Sequence, residues 1–221
     1  MSRAATRFRV GRQATRALDF EGLRIEYDAR VLEPRLWTAE QSRWAAELIR
    51  DAAPGPVLEL CSGAGHIGLL AAKLAPRPLV CVDADPVACD YLRRNARAAG
   101  VPVDVRQGPM DEVLGEHERF PVVIADPPWV PTANVSDFPE DPTTAIDGGE
   151  DGLRLVRACL DVISRHLLPG GSALLQVGPG GQAERSAALA ETYGLATVEV
   201  RTYERGAIVR LDRSAPGPAA R

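Results

Sequence analysis

A chain of 221 residues, 45% of them hydrophobic, is long enough to bury the core of one globular domain. Its net charge of −4 creates no overall field that would attract nucleic acid or an anionic membrane. The four cysteines are scattered and the three histidines lack ligand spacing, so we expect reduced thiols in a cytoplasmic protein and no metal site. The sequence has no apolar run of membrane length and no signal-peptide pattern, and we expect no membrane contact.

Residues 1–17 are predicted to be a flexible basic N-terminus. This segment contains no acidic residue, and its arginines are Arg3, Arg7, Arg9, Arg12 and Arg16. A frayed terminus is the favoured interpretation. An arm that binds RNA is the second possibility and a transit peptide is a remote third.

Residues 18–52 are predicted to be an extension that precedes the sheet. Alternating apolar residues in 18–27 indicate a short hairpin. Thr38 is suited to be the N-cap of a helix that continues to residue 52. We assign Trp37 and Trp44 to packing rather than to substrate contact.

From residue 53 to residue 213, short apolar runs alternate with helical stretches, and residues 214–221 form a tail that we expect to be disordered. The predicted strands are 57–61, 79–83, 101–106, 121–125, 172–177, 198–201 and 207–211. The predicted helices are 65–74, 86–99 and 152–167. This alternation implies right-handed crossovers. We therefore predict a Rossmann-like, doubly wound, mostly parallel seven-stranded α/β sheet with an antiparallel C-terminal edge strand.

A glycine-rich turn follows the first predicted strand. The spacing Gly63-x-Gly65-x-x-Gly68 matches the dinucleotide fingerprint, and Asp83 stands at the end of the second strand. An acid at that place can accept hydrogen bonds from both hydroxyls of a ribose. The pattern predicts a nucleoside cofactor, either a nicotinamide dinucleotide or S-adenosylmethionine.

Three features favour S-adenosylmethionine. Glu59, in the first strand, can face the ammonium group of that cofactor, whereas a pyrophosphate has no use for a carboxylate. The segment after the third strand can form a wall for an adenine ring, and the fourth strand ends in an acidic motif. The expected cofactor-binding residues are Glu59, Cys61, Gly63, Gly65, Asp83, Ala84, Gly108, Pro109, Met110 and Asp126.

The acidic motif is Asp126-Pro127-Pro128-Trp129. Two consecutive prolines lack N–H donors and fix φ, so the chain should leave the sheet as a rigid arm. The Asp126 carboxylate, the Pro127 carbonyl and the Trp129 indole could then hold a planar nitrogen that carries hydrogens, and we predict these three residues to be catalytic. The alternative is a strand end with a Pro-Pro turn and a packing tryptophan.

The chain resembles the class I S-adenosylmethionine-dependent methyltransferases of the Asn/Asp-Pro-Pro-Tyr/Trp group, and it is most similar to the release factor glutamine methyltransferases. The shared residues are Glu59, Gly63, Gly65, Asp83, Pro127, Pro128, Gly148, Gly149, Asp151, Gly152 and Leu153. The glutamine modifiers usually have Asn and Tyr where this chain has Asp126 and Trp129. The Asp-Pro-Pro-Trp form is more typical of adenine amino-methyltransferases. We expect no helical release-factor-binding domain, because only the extension precedes the sheet.

The resemblance implies an N-methyltransferase that acts on a planar amide or amine, either a protein glutamine or a specialised small molecule. An amino-methyltransferase of RNA or DNA is the second hypothesis, and a non-catalytic S-adenosylmethionine-binding module is the third. A nicotinamide-dependent reductase comes last.

One loop and two single residues have an expected role that is either open or purely structural. Residues 133–146 are either a substrate loop or lid, or an ordinary acidic surface loop. Asp151 is expected to be an N-cap rather than a catalytic acid. His66 is expected to lie on a helix face.

Overall fold

The predicted alternation of strands and helices is present in the computed structural model, which describes residues 14–213. The strands are β1 (Arg16–Phe20), β2 (Leu23–Tyr27), β3 (Val57–Leu60), β4 (Leu79–Asp83), β5 (Val103–Gln107), β6 (Phe120–Ala125), β7 (Leu167–Val177), β8 (Ala196–Tyr203) and β9 (Gly206–Asp212). The helices are α1 (Ala39–Asp51), α2 (His66–Leu74), α3 (Pro86–Ala99), α4 (Thr143–Ile146), α5 (Arg154–His166) and α6 (Gln182–Thr192). Short 3₁₀ helices span Leu36–Thr38 and Thr132–Asp137.

The main sheet has seven strands in the order β5-β4-β3-β6-β7-β9-β8. Strands β3 to β7 pair in parallel, whereas β9 pairs antiparallel with both β7 and β8. This arrangement confirms the predicted fold class, and it places the antiparallel strand one position inside the outer strand β8. The chain order reverses between β3 and β6, so a crevice is expected at the carboxyl ends of these two strands.

Both faces of the sheet are covered, which is why all four residues of β3 are buried. On one face, Val57 belongs to a core that includes residues of α1, α2 and α3. On the other face, Leu58 packs in a core formed with α5 and with residues of α6. The central strands are therefore held rigidly from both sides.

The N-terminal extension is bound to the sheet domain through α3. Asn95 accepts a hydrogen bond from the Glu26 N–H of the hairpin and donates one to the Glu26 carbonyl, at 2.9 and 3.0 Å. It also donates to the carbonyl of Ala64 in the glycine-rich turn. Thr38 precedes α1 as predicted, but its hydroxyl donates to the Arg35 carbonyl and does not cap the helix.

Several predicted boundaries are wrong. Cys61 is not part of β3, because it has φ of 56° and turns the chain out of the sheet. Strand β5 starts at Val103 rather than at residue 101, and β7 starts at Leu167 rather than at residue 172. Helix α6 was not predicted. The expectations for Arg3, Arg7, Arg9 and Arg12 and for the tail 214–221 lie outside the described residues.

Candidate active site

Strand β6 carries the acidic motif to the carboxyl edge of the sheet. The Asp126 N–H donates to the carbonyl of Leu60, the last residue of β3, at 3.4 Å. The chain then leaves the sheet through the two prolines, and the Val130 N–H donates to the carbonyl of Ile146 at 2.9 Å. The motif is therefore a short arm, anchored at both ends, that starts beside the switch in strand order.

Trp129 is held against the loop that precedes α6. A Cβ added at Gly178 would overlap three atoms of the indole ring, so the ring lies directly on this glycine. The buried Gln182 donates from Nε2 to the Trp129 carbonyl and accepts the Gly178 N–H at Oε1, both at 2.8 Å. Gln182 therefore uses both ends of its amide to fix the arm, a role that sequence reasoning missed.

Asp126 lies on the wall of a cavity, and its carboxyl has no hydrogen-bond partner among residues 14–213. Burial raises the pKa of this carboxyl to about 7. Glu59 lies close enough that the charge on Asp126 also raises the pKa of Glu59. Near neutral pH, the Asp126 side chain can therefore both accept and release a proton.

Glu59 is 2% exposed, and each of its carboxylate oxygens has a partner within the protein. Its Oε1 accepts the Gly68 N–H at 2.9 Å, and its Oε2 accepts the Cys81 thiol at 3.3 Å. Burial is the main cause that raises the pKa of Glu59 to about 7. A Cβ at Gly68 would overlap the Glu59 carboxylate, so this carboxylate explains the third glycine of the pattern. The contact of Glu59 with a cofactor ammonium stays a prediction.

The glycine-rich turn wraps around the Asp83 carboxylate. Asp83 Oδ2 accepts the Gly63 N–H at 2.7 Å, and Oδ1 accepts the Asp85 N–H at 2.9 Å. Cys61, Gly63 and Gly65 all have positive φ, which makes the tight turn possible. A carboxylate has about four acceptor positions, so Asp83 keeps capacity for the two hydroxyls of a ribose. This geometry fits a nucleoside cofactor.

The segment after β5 lies beside Asp83. The Gly108 N–H donates to the Asp83 carbonyl at 3.0 Å, and Met110 contacts Cys159 with 3.8 Å between the sulfur atoms. Pro109 is exposed, as is Ala84 on the neighbouring loop. The predicted adenine wall is thus adjacent to the predicted ribose acceptor, and their contacts with a cofactor remain predictions.

A cavity of about 420 Å³ opens beside the motif. Asp126, Pro127 and Trp129 line it together with Trp37 and Phe138. Trp37, which was assigned to packing, lies on the wall of this cavity, and its role there stays a prediction. Trp44 does pack in the core as predicted, at 2% exposure.

The loop at 133–146 contributes to the same cavity through Phe138, Glu140 and Asp141. Arg35 Nη2 lies 2.6 Å from both carboxylate oxygens of Asp141, and the Asp141 side chain is only 7% exposed. This ion pair joins the loop to the N-terminal extension. The placement favours the substrate-loop interpretation over an ordinary surface loop.

Two other side chains at the site were not assigned a role by the sequence. His66, the first residue of α2, lines the cavity, and its Nε2 lies 3.2 Å from Thr38 Oγ1. Burial lowers the pKa of His66 to about 3, so the ring is neutral at pH 7. The buried Gln41 donates from Nε2 to the carbonyls of Ala125 and Leu174, at 3.0 and 3.1 Å. Gln41 thereby connects α1 to strands β6 and β7 beside Asp126.

The segment 148–153 is a compact turn before α5. A Cβ at Gly148 would lie 2.8 Å from the backbone of Gly152, so the turn cannot accept a side chain there. Asp151 accepts the Leu153 N–H at 3.0 Å and pairs with Arg157 at 2.6 Å. Leu153 occupies the position before the helix, and the prediction of Asp151 as the N-cap is therefore wrong.

Within residues 14–213, no group of three or more histidine, cysteine or acidic side chains converges as a metal site would require. None of the helices in this part of the chain is long and apolar enough to cross a bilayer.

Comparison with known proteins finds methyltransferases. The family model described as "Methyltransferase small domain" matches residues 41–138. The release factor glutamine methyltransferase of Geobacter sulfurreducens is 34% identical over 195 residues, which cover 82% of this chain and 67% of the relative. The enzyme of the same name from Deinococcus radiodurans is 32% identical over 75% of this chain, which spans only 60% of that relative's length.

Solved structures confirm the fold at low identity. The hMettl16 catalytic domain in complex with an RNA hairpin has a TM-score of 0.71 at 14% identity, covering 92% of this chain and 80% of its own. The Thermus thermophilus 16S rRNA N2 G1207 methyltransferase in complex with AdoMet and guanosine has a TM-score of 0.65 at 18% identity, covering 90% and 50%.

Proposed function

Because the chain belongs to the class I methyltransferase family that includes the release factor glutamine methyltransferases, we propose that it methylates a planar nitrogen with S-adenosylmethionine. Family membership assigns that cofactor and sets aside the nicotinamide alternative. The favoured acceptor is a protein glutamine, since relatives are named for glutamine in release factors or in ribosomal protein uL3. A cytoplasmic location stays a prediction.

Two unfilled hydrogen-bond acceptors carry this proposal. Within residues 14–213, neither the Asp126 carboxyl nor the Pro127 carbonyl accepts a hydrogen bond. Pro127 is buried and Asp126 is half-buried. Polar groups withdrawn from water are normally satisfied, so two unfilled acceptors beside a cavity indicate a donor that arrives with the substrate. A primary amide supplies two N–H donors on one nitrogen, which matches this pair.

The chain's own residues position the nitrogen. The cofactor, when bound, supplies a methyl group that its sulfonium already activates. Hydrogen bonds from the two N–H groups to Asp126 and to the Pro127 carbonyl turn the nitrogen lone pair out of amide conjugation. Trp129, fixed by Gln182, provides a flat surface for the planar acceptor. Such positioning can supply roughly 7–11 kcal/mol at its upper end.

The test uses the purified chain with S-adenosylmethionine labelled in the methyl group. Candidate acceptors are a bacterial release factor, ribosomal protein uL3 and total RNA, each incubated separately. We expect label in protein, located on a glutamine by mass spectrometry, and almost none with the Asp126→Ala variant. Label in RNA alone would transfer the assignment to the nucleic-acid hypothesis. Tight S-adenosylhomocysteine binding without transfer to any fraction would leave the non-catalytic module.

Besides the Asp-Pro-Pro-Trp form of the motif, the nucleic-acid hypothesis has one electrostatic support, the run of arginines from Arg3 to Arg16. Of these, Arg16 lies in β1 and the others precede the described residues. Phosphate binding by such a segment would make affinity fall steeply with salt.

A further inference from the structure

The cavity beside the motif opens between separate parts of the chain. One side is the segment around Arg35 and Trp37, and another is the loop at 138–141. The turn between β8 and β9 adds Glu204 and Arg205. The ion pair between Arg35 and Asp141 joins the Arg35–Trp37 segment to the loop at 138–141. We call the exposed rim of this opening the mouth, formed by Glu33, Leu36, Phe138, Glu140, Glu204 and Arg205.

The mouth has an excess of negative charge. Glu33, Glu140 and Glu204 are exposed, and none of them forms an ion pair with any residue of 14–213. Arg35 is neutralised by Asp141, so Arg205 is the one cation at the rim that is not paired within the described part of the chain. Three carboxylates against one guanidinium favour a positively charged ligand.

The mouth also has exposed apolar side chains. Leu36 is 63% exposed and Phe138 is 37% exposed, on the two segments that the Arg35–Asp141 ion pair joins. Phe138 lines the cavity itself, and Leu36 lies in the sequence between two lining residues, Arg35 and Trp37. A small molecule that fits within about 420 Å³ would leave Leu36 uncovered, because Leu36 lies outside the lining. A chain that continues out of the cavity would cover it.

We propose that the mouth docks an extended, basic segment of the acceptor protein, which carries the target amide into the cavity. Lysine or arginine side chains on either side of the target contact Glu33, Glu140 and Glu204, and an apolar neighbour packs on Leu36 and Phe138. This inference rests on the proposed function and adds the kind of sequence that surrounds the acceptor. A nucleic acid is disfavoured at this surface, since the same carboxylates repel phosphate.

Docking can be measured without methyl transfer. The probe is a short fluorescent peptide with a central glutamine, flanking arginines and one leucine, titrated against protein loaded with S-adenosylhomocysteine. A second peptide has serine in place of the arginines, and a third has leucine in place of the glutamine. We expect anisotropy to show that the first and third peptides bind with similar Kd, that the serine peptide binds at least tenfold more weakly, and that added salt removes most of this difference.

A matched pair of triple variants locates the surface. Glu33→Gln, Glu140→Gln and Glu204→Gln together should weaken binding of the basic peptide about tenfold, because exposed ion pairs are individually weak. The control replaces Glu112, Glu116 and Glu191, which are exposed but do not line the cavity, and should leave Kd unchanged. The inference would be overturned if the serine peptide bound with the same Kd as the arginine peptide, or if both triple variants lost the same affinity for the basic peptide. So would tight binding of an RNA oligonucleotide or of free arginine amide that competes with the peptide.

These results separate the inference from the function on which it rests. Transfer to the serine peptide with the same KM as to the arginine peptide would keep the methyltransferase assignment and remove the docking surface. Selective binding of the basic peptides without transfer to any glutamine would keep the surface and remove the proposed reaction.

Discussion

Replacing Asp126 by asparagine should stabilise the protein at alkaline pH while sparing much of its activity. The Asp126 carboxyl lies in the cavity wall without a donor from residues 14–213, and burial is the cause that raises its pKa to about 7. Asparagine has nearly the same shape and an acceptor oxygen, but it has no charge to desolvate. The substitution therefore isolates the effect of the negative charge.

The magnitude follows from the pKa. A rise from 3.8 to about 7 corresponds to at most about 4 kcal/mol of disfavoured ionisation. Because the folded state holds this proton more tightly than the unfolded state, the carboxyl contributes stability at low pH that is lost as pH rises from about 4 to about 7. The Asp126→Asn variant lacks this loss. We expect it to match the parent near pH 4 and to be more stable by up to a few kcal/mol at pH 8.

The kcat values of two variants distinguish a role of Asp126 as a hydrogen-bond acceptor from a role as a base. Asp126→Ala removes a preorganised hydrogen-bonding group and should lower kcat roughly 10²–10³-fold. Asp126→Asn retains the acceptor oxygen and should cost much less if the substrate is a neutral amide. The rate of the parent enzyme should rise with pH around 7, because an ionised carboxylate is the stronger acceptor. The Asn variant should lose that dependence.

Denaturant unfolding at pH 4 to 8 and single-turnover transfer rates decide the matter. The exposed Asp51→Asn is the matched control and should change neither measurement. Full activity of the Ala variant would remove Asp126 from the mechanism. An Asn variant with the same stability difference at every pH would refute the burial argument, and an unchanged pH–rate profile would assign the titration to another group such as Glu59.

Two other substitutions and one deletion test separate parts of the chain. Asp83→Ala should weaken S-adenosylhomocysteine binding by about one to two decades in calorimetry, since each charge-assisted bond to the ribose is worth roughly 1.5–3 kcal/mol; unchanged affinity would contradict the cofactor assignment. Gly178→Ala should displace the Trp129 ring and lower kcat with little change in cofactor affinity, and an unaffected kcat would mean that the ring position is irrelevant. The full chain should show no salt-sensitive RNA binding, and deleting residues 2–13, which leaves β1 intact, should not alter its activity.

The sequence predicts best where local signals and burial agree. Helix α3 was predicted with the observed bounds, because Asp85 caps it by accepting the Val87 N–H, Pro86 begins it and Gly100 ends it with φ of 66°. The strand ends that carry Asp83 and Asp126 were also predicted, since buried parallel strands give continuous apolar runs.

Helix α6 was missed because its buried face is not apolar. Gln182, Ser186 and Ala190 are buried and stand four residues apart, which is helical spacing. A search for hydrophobic periodicity finds only Ala190 among them. The same limitation hid the contact of Gln182 with Trp129, since it joins residues 53 positions apart. A polar side chain that bonds across such a distance has no local sequence signal.

The acidic mouth and the half-buried Asp126 carboxyl have a common electrostatic consequence. The charge on Asp126 already disfavours ionisation of Glu59, and the rim carboxylates add further negative charge near the cavity. A basic segment in the mouth would place positive charge on the open side of Asp126 and so favour its ionised form. Binding of the acceptor would then help to create the charged hydrogen-bond acceptor that positions the nitrogen. A docked segment without positive charge would lack this effect. The charge of the segment around the target amide and the ionisation of Asp126 are therefore linked features of the site.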